Sequence, residues 1–216
     1  MDIGANKGQF LKSVFGRGIN TCFDKIDSFE PFPPLALLAQ KRFPQACVHS
    51  FGLWNASCSA DLHGAGGIGG SIWADKTTNV EDLNLVTCRF MRATEWFEKN
   101  ISSTDLVIAK MNCEGAECDI IDDLILSGEF SKIRQILVSF DIDKIPSQQH
   151  RKLSTLLLLR SSGYIDRVVA FVNDPDEDFP DMKYMTPRQC KIYSPILHHA
   201  MTRCWYENFL KQILEA

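Results

Sequence analysis

The opening residues constrain this chain more than any other stretch. Asp2-Ile3-Gly4-Ala5-Asn6-Lys7-Gly8-Gln9-Phe10 sets an acid and an apolar residue before two spaced glycines and an amphipathic run. That order reads as a strand end turning directly into a helix, because glycine accepts the left-handed backbone such a turn requires. The helix continues over residues 9–15. A turn of this kind is expected to aim free backbone N–H groups, and the positive end of a helix dipole, at a ligand. Gly4 and Gly8 let the backbone come close to that ligand. Asp2 places a carboxylate at the strand end, which repels a pyrophosphate and suits an ammonium or a sulfonium.

A second acid lies where this arrangement needs one. Lys25-Ile26-Asp27-Ser28-Phe29-Glu30-Pro31 reads as a short strand ending in a carboxylate. Open α/β sheets bind ligands at the carboxyl ends of their strands, and an acid about 20 residues beyond the glycine turn takes ribose hydroxyls. Glu30 has that spacing. Pro31, Pro33 and Pro34 then break the strand, and residues 35–42 read as a helix. S-adenosylmethionine (SAM) has the complementary groups: an ammonium and a sulfonium for Asp2, a carboxylate for the helix N-terminus, and a ribose for Glu30.

The rest of the chain repeats the alternation. Strands are expected at 46–51, 85–90, 106–111, 133–140, 167–172 and 189–193, with helices at 119–126 and 149–161 and a helical tail at 195–216. Residues 61–71 read as a glycine-rich loop, and 173–181 as an acidic, solvated turn rather than a metal site. Alternating strands and helices point to a parallel sheet. A single domain spanning 1–216, with 195–216 as a C-terminal helical extension, fits the length.

Three blocks now resemble one family. Asp2 to Gly8, then Ser28-Phe29-Glu30-Pro31-Phe32-Pro33, then Lys110-Met111-Asn112-Cys113-Glu114-Gly115-Ala116-Glu117 are similar, in order and spacing, to the FkbM-type family of SAM-dependent methyltransferases. Thr94-Glu95-Trp96-Phe97 resembles the family's helix before its fourth strand. The resemblance runs to about Gly163. It implies a Rossmann-like class I methyltransferase sheet: about seven strands, mostly parallel and with the last reversed, helices on both faces. Two positions depart from the pattern. Asn112 stands where the family usually has an aspartate, and Ser139 stands near the end of the fifth strand where an acid is common. Met1 abuts Asp2, so the first strand is expected to be truncated, with residues missing before it.

On this reading Asp2, Gly4, Ala5, Asn6 and Gly8 hold the methionine end of SAM, Glu30 the ribose, Gly52 and Leu53 the adenine side, and Asn112 the mouth of the site. Methyl transfer is an in-line displacement that needs alignment above all. A hydroxyl acceptor also loses a proton, and Glu114 is the candidate base. The alternative for Glu114 and Glu117 is the acidic first turn of a helix, favoured by its dipole. The implied acceptor is a small molecule or glycan carrying a hydroxyl.

Composition narrows the partners. The 45% hydrophobic and 23% charged content suits a globular chain, and a net charge of −4 argues against a nucleic-acid partner. No apolar run is long enough for a membrane span. The eight cysteines form no C-x-x-C pairs and no paired Cys/His blocks, so no zinc site is expected. They read as buried free thiols, and with no signal peptide in view the expected location is cytoplasmic. His49 reads as structural, His63 as a neighbour of the glycine loop, and the adjacent His198 and His199 as poor joint ligands. Lys7 reads as solvated. The oligomeric state stays open.

Gly64-Ala65-Gly66-Gly67-Ile68-Gly69 fits G-x-G-x-x-G, but a dinucleotide site needs a strand before it and a helix after it. Neither is expected here. A nicotinamide-linked oxidoreductase is therefore the third reading. The second is a catalytically impaired SAM-binding or interaction module of the same fold, motivated by Asn112 and Ser139.

Overall fold

The computed structural model describes residues 1–67, 69–77 and 84–170. Among these residues nine strands are formed: β1 (Asp2–Ile3), β2 (Asp27–Phe29), β3 (Cys47–His49), β4 (Gly52–Trp54), β5 (Cys58–His63), β6 (Leu85–Arg92), β7 (Val107–Met111), β8 (Ile133–Val138) and β9 (Val168–Ala170). Five α-helices connect them: α1 (Gln9–Gly16), α2 (Pro33–Arg42), α3 (Ala93–Asn100), α4 (Glu117–Ser127) and α5 (Arg151–Ser161).

Six strands build the central sheet in the order β3-β2-β1-β7-β8-β9, and every pair is parallel. This is a Rossmann-like order, reversing direction between β1 and β7, and a crevice forms at such a switch point. Consecutive residues are buried along the central strands: Asp2 and Ile3, Ser28 and Phe29, Lys110 and Met111, Leu137 and Val138. Both faces of the sheet are therefore covered, as a parallel sheet requires. Ile3, Phe29, Met111 and Val138 join Trp96, Phe97, Ile120 and Leu124 in the main core.

The helix limits follow local chemistry. Pro33 and Pro34 open α2, where their missing N–H groups cost nothing, and Lys41 and Arg42 lie in its last turn. Glu117 and Asp119 lie in the first turn of α4, and Gly128 ends it in the left-handed conformation at φ 85°.

A second sheet was not anticipated. β4, β6 and β5 form three strands, with β4 parallel and β5 antiparallel to β6. Asp61, Leu62 and His63, read from sequence as loop, complete β5 instead. Their side chains alternate between exposed and buried around Leu62, whose core is small: Leu62, Ala65, Cys88 and Phe90. The glycine-rich composition just beyond β5 masked this strand.

β1 is two residues long. The N-terminal ammonium donates to Ile108 O at 2.6 Å, and its burial lowers its pKa. No helix among the described residues is long and apolar enough to cross a membrane. The expected reversed strand at 189–193, the acidic turn at 173–181, the tail at 195–216 and His198 and His199 lie outside the described residues.

Candidate functional site at the sheet switch point

The carboxyl ends of β1, β2, β7 and β8 converge, and they bring most of the expected residues together. Gly4 has φ +82°, and a Cβ placed on it would lie 1.8 Å from the backbone oxygen of Asn112. Glycine is thus required here by the crossing of two protein segments. Gly8 also has φ +82°, and its missing side chain makes room for the Phe43 ring. Asn6 adopts φ 49° and Glu114 φ 56°, the two non-glycine residues described with positive φ. Such conformations cluster where a site imposes its geometry.

The expectation of free N–H groups on the glycine turn is not met. Gly4 and Ala5 both donate to Phe29 O, at 3.0 and 2.9 Å, and Gly8 donates to Ala5 O at 2.8 Å. Asn6 N–H donates to Glu30 Oε2 at 2.8 Å, and Lys7 N–H to Asn6 Oδ1 at 2.7 Å. The turn is satisfied by its own neighbours because it packs directly on the end of β2. The Lys7 side chain is exposed, as expected.

Asp2 is corrected as well. It is fully buried and pairs with Lys110 Nζ at 3.0 Å, while Ser28 Oγ donates to its other oxygen at 3.3 Å. The sheet register explains this. Asp2 lies opposite Ser28 on one side and Lys110 on the other, so three polar side chains form one buried row across β2, β1 and β7. Lys110 Nζ also donates to Gly4 O at 2.8 Å, bracing the turn. Asp2 therefore holds the site together from beneath instead of facing a ligand cation.

Glu30 sits at the end of β2 as expected, 6% exposed. Its second oxygen accepts Phe32 N–H at 3.0 Å. Burial pushes its pKa up to about 7, against the opposing pull of the Phe32 and Asn6 N–H groups. Each carboxylate oxygen has a further lone pair, so Glu30 keeps acceptor capacity. Gly52 lies next to Pro31, and the Phe90 ring fills the space its side chain would take. Leu53 belongs to the main core, 2% exposed. Both residues are in β4.

Past β7, Asn112 Oδ1 is buried with no hydrogen-bond partner. Glu114 is buried, and Lys76 Nζ donates to its Oε2 at 2.5 Å and to Gly69 O at 2.6 Å. Burial, then Asp141, raise the Glu114 pKa, and Lys76 opposes them. Glu117 accepts from Gly115 N–H and Cys113 N–H and so fixes the turn. Burial pushes it up to about 8. Glu117 is thus the acid of the helix start, whereas Glu114 is directed away from it, toward the 69–76 segment.

Ser139 is buried near the end of β8, and two residues later Asp141 is buried as well. Its Oδ1 pairs with Lys144 at 2.6 Å, and Oδ2 is buried without a partner. Sequence reading missed Asp141 because the acid was sought at the strand end and not in the short turn after it. Lys110 was visible as a lone lysine in an apolar strand. Lys76 carried no signal at all.

The glycine segment crosses this site. β5 does precede it, contrary to expectation, but the chain folds back so that His63 and Ser71 form an antiparallel bridge, and no helix follows among the described residues up to 77. Asn6 Nδ2 donates to Gly67 O at 3.1 Å, Ser71 Oγ to Glu114 O at 2.7 Å, and Trp73 Nε1 to Gly115 O at 3.2 Å. The segment thus straps the β1 turn to the β7 turn. Comparison with family models, curated proteins and solved structures finds no match.

Proposed function

We propose that this protein binds SAM at the switch point and transfers its methyl group to a hydroxyl of a sugar, glycan or other small metabolite. The observation that carries the reading is the pairing of Glu30 at the end of β2 with the orphaned Asn112 Oδ1 at the end of β7, on opposite sides of β1. A buried acceptor with no partner costs free energy unless a ligand donates to it. The acceptors fit SAM: Asn112 Oδ1 would accept from the ammonium, and the spare lone pairs of Glu30 would accept from the ribose.

Bound SAM supplies a methyl group on a sulfonium, an electrophile that needs alignment and no further activation. The chain's part is to orient and to take up a proton. Gly4 and Asn6 shape the β1 turn, and Asn6 Nδ2 ties it to Gly67 O at 3.1 Å. Glu114 takes up the acceptor's proton at its carboxylate, and Lys76 opposes the upward pull of burial on that group. Asp141 Oδ2, also buried without a partner, keeps acceptor capacity.

The test is transfer of a labelled methyl group from SAM to a panel of hydroxylated sugars and glycans. Transfer that Glu114→Gln reduces about 100-fold or more, with SAM affinity kept, supports the role of a base. Transfer unaffected by Glu114→Gln removes that role. A second reading is a SAM-binding or interaction module without turnover. It is favoured by the engagement of Glu114 with Lys76 and by the strap across the mouth. Binding without transfer across the whole panel selects it. A nicotinamide-linked activity has no support in the hairpin geometry of the 64–71 segment.

A further inference from the structure

The register of the outer strands brings three ligand types together away from the switch point. β2 and β3 pair so that Asp27 lies opposite Cys47 and Phe29 opposite His49. Residues two apart on a strand share a face. Asp27, Cys47 and His49 therefore project on one side of the sheet, and one oxygen, one sulfur and one ring nitrogen lie within 4.8 Å of one another. His49 Nε2 is 2.8 Å from Asp27 Oδ1. The His49 ring is stacked on Phe29 at 4.8 Å between centroids, which fixes its orientation. Cys47 is exposed at this edge of the sheet, and His49 is half-buried.

We propose that Asp27, Cys47 and His49 form a three-ligand site for a Zn²⁺-class divalent cation, with its remaining position open to solvent. The donor set is selective. A thiolate and an imidazole favour Zn²⁺ or Co²⁺ over Mg²⁺ and Ca²⁺, which take oxygen ligands. Metal–ligand bonds of about 2.0–2.3 Å in a tetrahedron separate neighbouring donors by roughly 3.3–3.8 Å. The observed cluster needs only side-chain adjustments to reach that. Binding sends the Cys47 thiol proton to solvent, and His49 ligates through Nε2 with its proton on Nδ1.

A cation is already attracted to this place. Lys25 Nζ lies 3.1 Å from Asp27 Oδ2, on a side chain 54% exposed. Asp27 is buried, and the exposed Lys25 side chain can swing out to make room. His49 O accepts Glu30 N–H at 3.1 Å, so a metal here also ties the end of β3 to the acid of the switch-point site.

The test is titration of the full chain, stripped of metal and kept reduced, with Co²⁺. The expected result is one tightly bound equivalent with a thiolate-to-cobalt charge-transfer band and the strong visible absorption of a tetrahedral ion. Cys47→Ser abolishes the charge-transfer band, and His49→Gln weakens binding about 100-fold. Lys25→Gln tightens it about two- to fivefold, the worth of one exposed ion pair. Cys22→Ser and Cys58→Ser, at the other two exposed thiols described, leave it unchanged. Circular dichroism verifies that each variant is folded. No stoichiometric Co²⁺ binding, a band that survives Cys47→Ser, or full affinity in His49→Gln overturns the proposal.

Discussion

Gly4 is fixed by its neighbours more tightly than by any ligand. With φ +82° and the Asn112 carbonyl 1.8 Å from where a Cβ would sit, Gly4→Ala meets rigid backbone. We expect a loss of about 3 kcal/mol or more in denaturant unfolding, from overpacking added to left-handed strain. Lys110 is a second such residue. It is buried with Asp2, and removing one partner of a buried pair leaves an uncompensated charge. Lys110→Met should cost about 3–5 kcal/mol, and Asp2→Leu combined with it should recover much of that loss. Equal destabilisation in the double variant would mean that the row matters for packing alone. The glycine turn and the place of Glu30 at the strand end were legible in the sequence from spacing, whereas Glu114 was singled out by the family resemblance. The Asp2–Lys110 pair was not, because it joins residues far apart in the chain that only the strand order makes neighbours.

At the scale of elements, the strap and the strand ends set the site's response to pH. Glu30 ionises at about 7 because it is buried, and an ionised carboxylate is the better acceptor for ribose hydroxyls. SAM affinity should therefore rise as pH increases through about 7, and Glu30→Gln should flatten that rise in a calorimetric series. Lys76 opposes the upward shift of Glu114. Lys76→Met should move the acid limb of the pH–rate profile to higher pH, whereas an unmoved limb would separate Glu114 from the proton transfer. The central strands and helices were readable from apolar runs, prolines and Gly128. The second sheet was not: β6 shows its alternation openly, but β5 is partly polar and leads into glycines, so its pairing depends on β6 and not on its own residues.

For the whole molecule, buried carboxyls shape stability. In the unfolded chain Glu30 and Glu117 ionise near 4.5, and in the folded chain at about 7 and 8. Between these values the unfolded state loses protons that the folded state keeps. The contribution of both groups is full below about 4.5 and falls as pH rises toward 8. Melting temperature should decline over that range, and Glu117→Gln should make the decline shallower. The parallel order β3-β2-β1-β7-β8-β9 ties these groups to one crevice, and the claim that SAM occupies it is the centre of this account. Calorimetric titration of the folded protein with SAM and with its demethylated product, a nicotinamide dinucleotide serving as control, tests it most directly. The account predicts saturable one-site binding of both, weakened about tenfold or more by Glu30→Ala as charge-assisted hydrogen bonds are lost. No heat of binding from folded protein, or the same affinity in Glu30→Ala, would contradict it.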